Sequence, residues 1–313
     1  MRGKKGKGLR FKIASFIIAL VIIIIVMIST PMYILTTNTQ CETLLKGLWD
    51  RSNVLLDAIA SGARTNMPMA INSMGQQGFW ELQDLPRQSA SLPEANFITI
   101  TGYGIGSIYT DHVWASNDPG IVQRIDTAEL RSGISRYTGE LNQVYEQLGM
   151  QLNGIAQESA SDLSNSIRAL YAEGVALVLR TDAEGIRLRN DIQITIESQE
   201  TRVNEILTEL SKEVYSYPEF STEKLPSDGN RTYTFIKPIM YRQGADDNFF
   251  RGFVSLEVSL DSIVEQITQG QILLLTTIGI VASLALLIGI IGALILSMLI
   301  IKSVKKGEKN ESY

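Results

Sequence analysis

One cysteine and one histidine are all this 313-residue chain has of the two side chains most used in metal sites and nucleophilic catalysis. The single Cys41 excludes a disulfide within the chain, so any folded region must hold together through its core. The single His112 excludes the paired Cys/His spacing of structural zinc sites. A Ser–His or Cys–His nucleophile would have to use that one residue, and nothing stands at a recognisable distance from it. Charge is missing from two long stretches: residues 13–35 and 272–301 hold no Asp, Glu, Lys or Arg. A bilayer core about 30 Å thick takes roughly 20 apolar residues at a rise of about 1.5 Å each. Both runs meet that length, and neither has the solvated side that a globular core helix needs.

The first run is read as an uncleaved anchor. A cleaved signal has an apolar stretch of about 7–15 residues ending in an A-x-A-like site. The run here is longer, and "STPMYILTTNTQC" holds no such site, nor does "NTQC" form a lipoprotein box before Cys41. Arg2, Lys4, Lys5, Lys7, Arg10 and Lys12 precede the first run; Lys302, Lys305, Lys306 and Lys309 follow the second. Positive residues near span ends stay cytoplasmic. The expected layout is therefore a cytoplasmic terminus (1–12), a span (13–35), an extracytoplasmic domain (36–271), a second span (272–301) and a short cytoplasmic tail (302–313). The net charge of −5 conceals a strong asymmetry, since 31 of the 33 acidic residues lie in the middle region. An acidic exterior argues against nucleic acid as a partner.

The middle region alternates in type. "CETLLKGLWDRSNVLLDAIASGARTNMPMAINSM" repeats Leu44, Leu48, Leu55 and Ile59 at helical spacing, so the first membrane helix is expected to continue outward until Pro68 or Gly75–Gly78. "NFITITGYGIGSIYTDHVWAS" reads as two strands, with Gly102, Gly104 and Gly106 in the turn. These glycines lack the Lys-Ser/Thr of a phosphate loop. Asp118 and Pro119 form an N-cap and first-turn pair, and from about 120 to 215 the pattern is helical. Ile134, Leu141, Leu148 and Ile155 recur every seven residues, and Val203, Leu207, Leu210 and Val214 follow a 4-3-4 spacing, as in coiled coils. Breaks are expected near Gly174 and Gly185. Strands return over "RTYTFIKPIMYRQGADDNFFRGFVSLEVSL", after a turn at Asp228–Asn230.

The predicted class is α+β. Two transmembrane helices flank an antiparallel sheet, backed by the first helix and carrying a long helical insertion. The segments "TDHVWASNDPGI" and "TYTFIKPIMYRQGADDNFFRGFVSLEVSLDSIVEQI" resemble the Cache and PAS-like extracytoplasmic domains of bacterial transmembrane receptors. More narrowly, they resemble spirochaete receptor sensors that feed phosphatase, cyclase or chemotaxis outputs. The resemblance implies a location in the bacterial inner membrane and a role in signal transduction. It also implies a HAMP linker after the second span. "IIKSVKKGEK" is similar to the opening of one, with Ser303 where Pro would stand and Gly307 where Leu would stand. On that reading the chain is a sensor subunit without its own effector, acting through a partner receptor. The alternative is a structural or decoy membrane protein left by a truncated receptor gene.

No enzyme, metal site or cofactor is expected. Asp246 and Asp247 fit a polar turn better than a calcium loop. A small-molecule pocket would be concave and aromatic-lined, with a few placed polar groups. The candidates are Tyr103, Tyr109, Asp111, Trp114, Asp118, Tyr233, Lys237, Tyr241 and Arg242. In the second run, Ala285, Gly289, Ala293 and Ser297 recur every four residues. Small residues along one stripe let membrane helices approach closely, so a homodimer, or a mixed dimer with a related receptor, is expected through that stripe.

Overall fold

The computed structural model of the chain describes residues 3–72, 76–102, 113–119, 140–226, 229–242 and 248–310. In chain order these form α1 (Gly3–Asn72), α2 (Gln76–Asp84), a 3-10 segment (Leu85–Ser91), β1 (Ala95–Gly102), β2 (Val113–Ser116), α3 (Glu140–Ala176), α4 (Ala183–Leu210), β3 (Tyr215–Tyr217), β4 (Thr232–Met240), β5 (Phe250–Ser259) and α5 (Asp261–Asn310). The class is α+β. The chain divides into two compact units. The first holds α1 up to Leu45, the short piece Glu223–Leu225 and α5 from Ser262; the second holds Lys46–Thr222 and Pro226–Asp261.

The first unit is helical. Both charge-free runs lie in helices long and apolar enough to cross a membrane, and almost none of either apolar window is covered by protein. The two helices run antiparallel. Gly270 lies against the Gln40 side chain, and a Cβ added at Gly289 would stand 3.2 Å from Val21. From Gln40 back to Val21 is 19 residues, and from Gly270 on to Gly289 is also 19. The helices therefore stay in step over about 28 Å. On α1 the half-buried line is Val21, Ile25, Ser29, Tyr33, Thr37 and Cys41. On α5 it is the small-residue stripe: Ala285 and Gly289 are half-buried, Ala293 is 1% exposed and Ser297 6%. The stripe thus packs within the chain, and the branched Val21 fits over the missing side chain of Gly289.

The second unit is built on one antiparallel sheet in the order β2–β1–β5–β4–β3. Strands from before and after the helical insertion join through the β1–β5 pairing, in which Ile98 faces Leu256 and Ile100 faces Val254. On the β4–β5 side Phe235 faces Leu256. These five residues point to one face of the pleat and are fully buried. That face meets α1, where Leu48, Leu55, Leu56, Ile59, Ala63 and Met67 form a buried stripe. Trp49 on α1 stands edge-on to Phe235 at 5.2 Å. The opposite face belongs to the insertion: Ile236, Met240, Phe250 and Phe253 join Leu148, Leu152, Ala156 and Ala160 of α3, and Ile196, Val203 and Leu207 of α4.

The insertion breaks where the glycines indicated, between Ala176 and Ala183. Its buried line differs from the seven-residue seam. Leu148 is buried, but Ile155 is 39% exposed, and burial follows 148, 152, 156 and 160 instead. α3 packs mainly on α4, its partner in the helical hairpin, and to a smaller extent on β5, and Ala156 and Ala160 are fully buried in the cluster these elements share. Ile134 lies outside the described residues. Val214 lies beyond the end of α4, so the 4-3-4 seam stops at the half-buried Leu210.

Candidate functional site

Lys237 is the one charge in the middle of β4, "TYTFIKPIM", and it points to the α1 face. Its side chain is only 4% exposed. An ammonium there needs partners, because water is excluded and desolvation of a charge is costly. It has two. The Asp57 carboxylate of α1 lies at 2.5 Å, and Nζ donates to the Lys212 carbonyl just past α4 at 2.9 Å. One helical repeat along α1, Arg64 donates to Thr208 at 2.9 Å and Ser211 at 2.7 Å. Burial lowers the Arg64 pKa, and the charge of Asp57 opposes that shift. α1, the middle of the sheet and the end of the insertion are thus tied together by polar contacts within about two turns of α1. An aromatic cluster adjoins them: Phe220 stacks on Trp49 at 5.9 Å and meets Tyr233 and Phe235 edge-on, each at 5.1 Å. A second tie holds the start of β1, where Arg51 pairs with the buried Glu94 at 2.6 Å.

The residues expected to line a pocket are distributed along the sheet. Tyr233 and Lys237 share the α1 face of β4, four residues and about 13 Å apart. Tyr241 follows the strand and is 4% exposed. Its phenol is pushed up to about 12 by burial, against the pull of Arg251, whose guanidinium lies 5.4 Å from the ring centre. Arg242 is half-buried. Trp114 is buried on β2, an edge strand three steps from β4. Its carbonyl accepts from the Gln83 side chain, and its indole lies over Gly102. Asp118 is half-buried, and its backbone N–H donates to Ser116 Oγ at 3.1 Å. Tyr103, Tyr109, Asp111 and His112 lie outside the described residues. The strand therefore sets Tyr233, Lys237 and Tyr241 in a row, with Trp114 and Asp118 at the far edge.

Among the described residues, clefts lie elsewhere on this unit. One of about 490 Å³ opens between α1 and the 3-10 segment, lined by Arg51, Val54, Gln88 and Leu92 among others. One of about 300 Å³ runs along α3 beside Phe249. One of about 730 Å³ lies where Leu163 meets the last turns of α4. Among the described residues, no three His, Cys, Asp or Glu side chains are placed to hold a metal ion. Sequence reasoning missed Asp57, Arg64, Glu94 and Arg251. A charge inside an apolar strand was the available signal for a buried pair, but nothing local named its partner. No family model, no curated protein and no solved structure matches the chain.

Proposed function

We propose that the chain is a membrane-anchored sensor subunit, with its sheet unit outside the cytoplasm and its two apolar helices as the path of the signal. The observation that carries this reading is the continuity of α1. It is one 70-residue helix from Gly3 to Asn72, holding a bare apolar run at one end and Asp57, the partner of Lys237, at the other. Asp57 is 22 residues beyond Leu35 in the same helix. A displacement at the middle of the sheet would act on α1, the same helix that carries the first apolar run. The motion expected is a helix shift or rotation of about 1–2 Å, as in other helical switches. α5 offers a second such path, starting directly after the central strand at Asp261. The basic flanks of the two runs support cytoplasmic ends.

Topology tests the reading. A reporter active only in the cytoplasm should work when fused after Tyr313 and stay silent when inserted near Gly185, at the tip of the helical hairpin. The reverse pattern would remove both the orientation and the sensor role.

A further inference from the structure

Just past the end of β4, a guanidinium is enclosed without a hydrogen-bond partner among the described residues. The Nε, Nη1 and Nη2 atoms of Arg242 are all shut off from solvent, and none has a hydrogen-bond partner among the described residues. The hydroxyl of Tyr241 beside it is likewise buried, with no partner among the described residues. Enclosing a guanidinium without hydrogen-bond partners is costly. Other enclosed cations of this unit are held: Lys237 by Asp57, Arg64 by Thr208 and Ser211.

We infer that Arg242 is the recognition residue of a site for a small oxyanion, a carboxylate or a phosphate, gripped through the planar fork of the guanidinium. The fork supplies two parallel donors at the spacing of two oxyanion oxygens, which an ammonium cannot do. The surroundings fit this chemistry. Successive residues of an extended chain point to opposite sides, so Arg242 and Tyr241 diverge, and Arg242 lies toward the insertion. There its charge is felt by the Tyr171 phenol of α3, where it opposes the effects of burial and of Glu200. The Tyr241 N–H donates to the Phe249 carbonyl at 3.0 Å. Phe249 borders the cleft of about 300 Å³ whose other wall is the polar line Gln157, Ser161, Ser164 and Arg168 of α3. The start of β5 is fixed to that wall, because Asn153 Oδ1 accepts from the N–H groups of Phe249 at 2.9 Å and Phe250 at 3.2 Å. An anion held by Arg242 beside Tyr171 would bridge the end of β4 and α3, and this gives the sensor reading, on which the biological meaning rests, its class of ligand.

The test is thermal melting of the purified full-length protein in lipid nanodiscs. The probes are sodium phosphate and sodium succinate, against sodium chloride of equal ionic strength. At least one probe should raise Tm by about 5 °C at saturating concentration. A phosphate response alone identifies a phosphoryl ligand, a succinate response alone a carboxylate, and both a general oxyanion site. Arg242→Met should lose the response and melt no lower than the parent in chloride, since it removes an unpaired buried charge. Arg242→Lys, which keeps the charge and loses the fork, should bind about tenfold more weakly. The proposal is overturned if neither probe shifts Tm, or if Arg242→Met still responds. It is also overturned if Arg242→Met melts lower or fails to fold while Asp246→Asn with Asp247→Asn reproduces the loss, for then the chain supplies its own counter-charge. These readouts are independent of topology, so failure of the anion site and failure of the sensor reading are distinguishable.

Discussion

Lys237 shows how much one enclosed charge can demand of its neighbours. Asp57→Asn leaves the ammonium with neutral acceptors and no counter-charge, and the loss of a charged hydrogen bond costs about 1–3 kcal/mol. Lys237→Met should cost less than that, because an apolar chain of similar length suits the site once the charge is gone. Adding Asp57→Asn to Lys237→Met should then cost almost nothing. Urea melts of the four proteins measure the coupling; strict additivity would show that the 62% exposed Asp57 side chain stays solvated and holds nothing. The tyrosines give a pH signature. Burial, the largest cause in both cases, pushes Tyr241 and Tyr215 up to about 12, against about 10 in an unfolded chain. The folded protein keeps these protons after the unfolded chain has lost them, so their contribution is complete below pH 10 and fades as pH rises toward 12. Phenolate absorbance of the folded chain should show a late-ionising class, reduced by Tyr241→Phe; a single transition near pH 10 would contradict the burial. Lys237 was legible in the sequence as a charge interrupting an apolar strand. Asp57 was not, because it stands 180 positions earlier and no local spacing records a pairing that only the closed sheet creates.

Among the elements, β1 and β5 are joined most closely where both lack a side chain. Gly102 pairs with Gly252, and Gly252 has a φ of +155°. A Cβ at Gly252 would run into the Thr101 carbonyl. Gly252→Ala should therefore cost about 2 kcal/mol or more, combining backbone strain with a clash that a central strand cannot relieve. Loss of that amount should appear as a lower urea midpoint with an unchanged slope; a variant as stable as the parent would mean the two strands can part. Gly102 was expected in the hairpin turn, yet it is the last residue of β1, beneath the Trp114 indole. Propensity marks Gly as a turn residue and cannot distinguish that role from room for an aromatic ring. The alternation of β5 was plain, since Val254, Leu256 and Val258 line one face, whereas β4 carries Lys237 among the apolar residues of its α1 face. The heptad in α3 misled for a related reason: seven-residue and four-residue lines share Leu148, and only the partner surface selects between them.

At the scale of the whole chain, the two apolar runs, the single sheet joined across an insertion and the break in that insertion were all written in composition and periodicity. The use of the small-residue stripe was not, because a stripe of Ala, Gly and Ser invites close approach equally from the same chain or another. The packing described here predicts the outcome of Gly289→Ile with Ala293→Ile. Two branched side chains would force Val21 and its neighbours away, so the variant should melt lower at every protein concentration. Dimer cross-linking through Cys41, where it occurs in native membranes, should persist. Loss of the cross-link with no change in Tm would place the stripe between copies instead.

The two apolar helices keep step for 19 residues on each side, with Val21 seated over Gly289. Such a contact behaves like a ratchet with notches. A slide of 1 or 2 Å carries the valine methyls from the hollow at Gly289 toward the bulkier flanking residues, and the next small position on the stripe is four residues on, about 6 Å away. Between those notches the helices can roll or tilt on the valine, but sliding meets a rising wall. On the sensor reading proposed above, the motion passing this pair would therefore be carried by rotation more readily than by sliding.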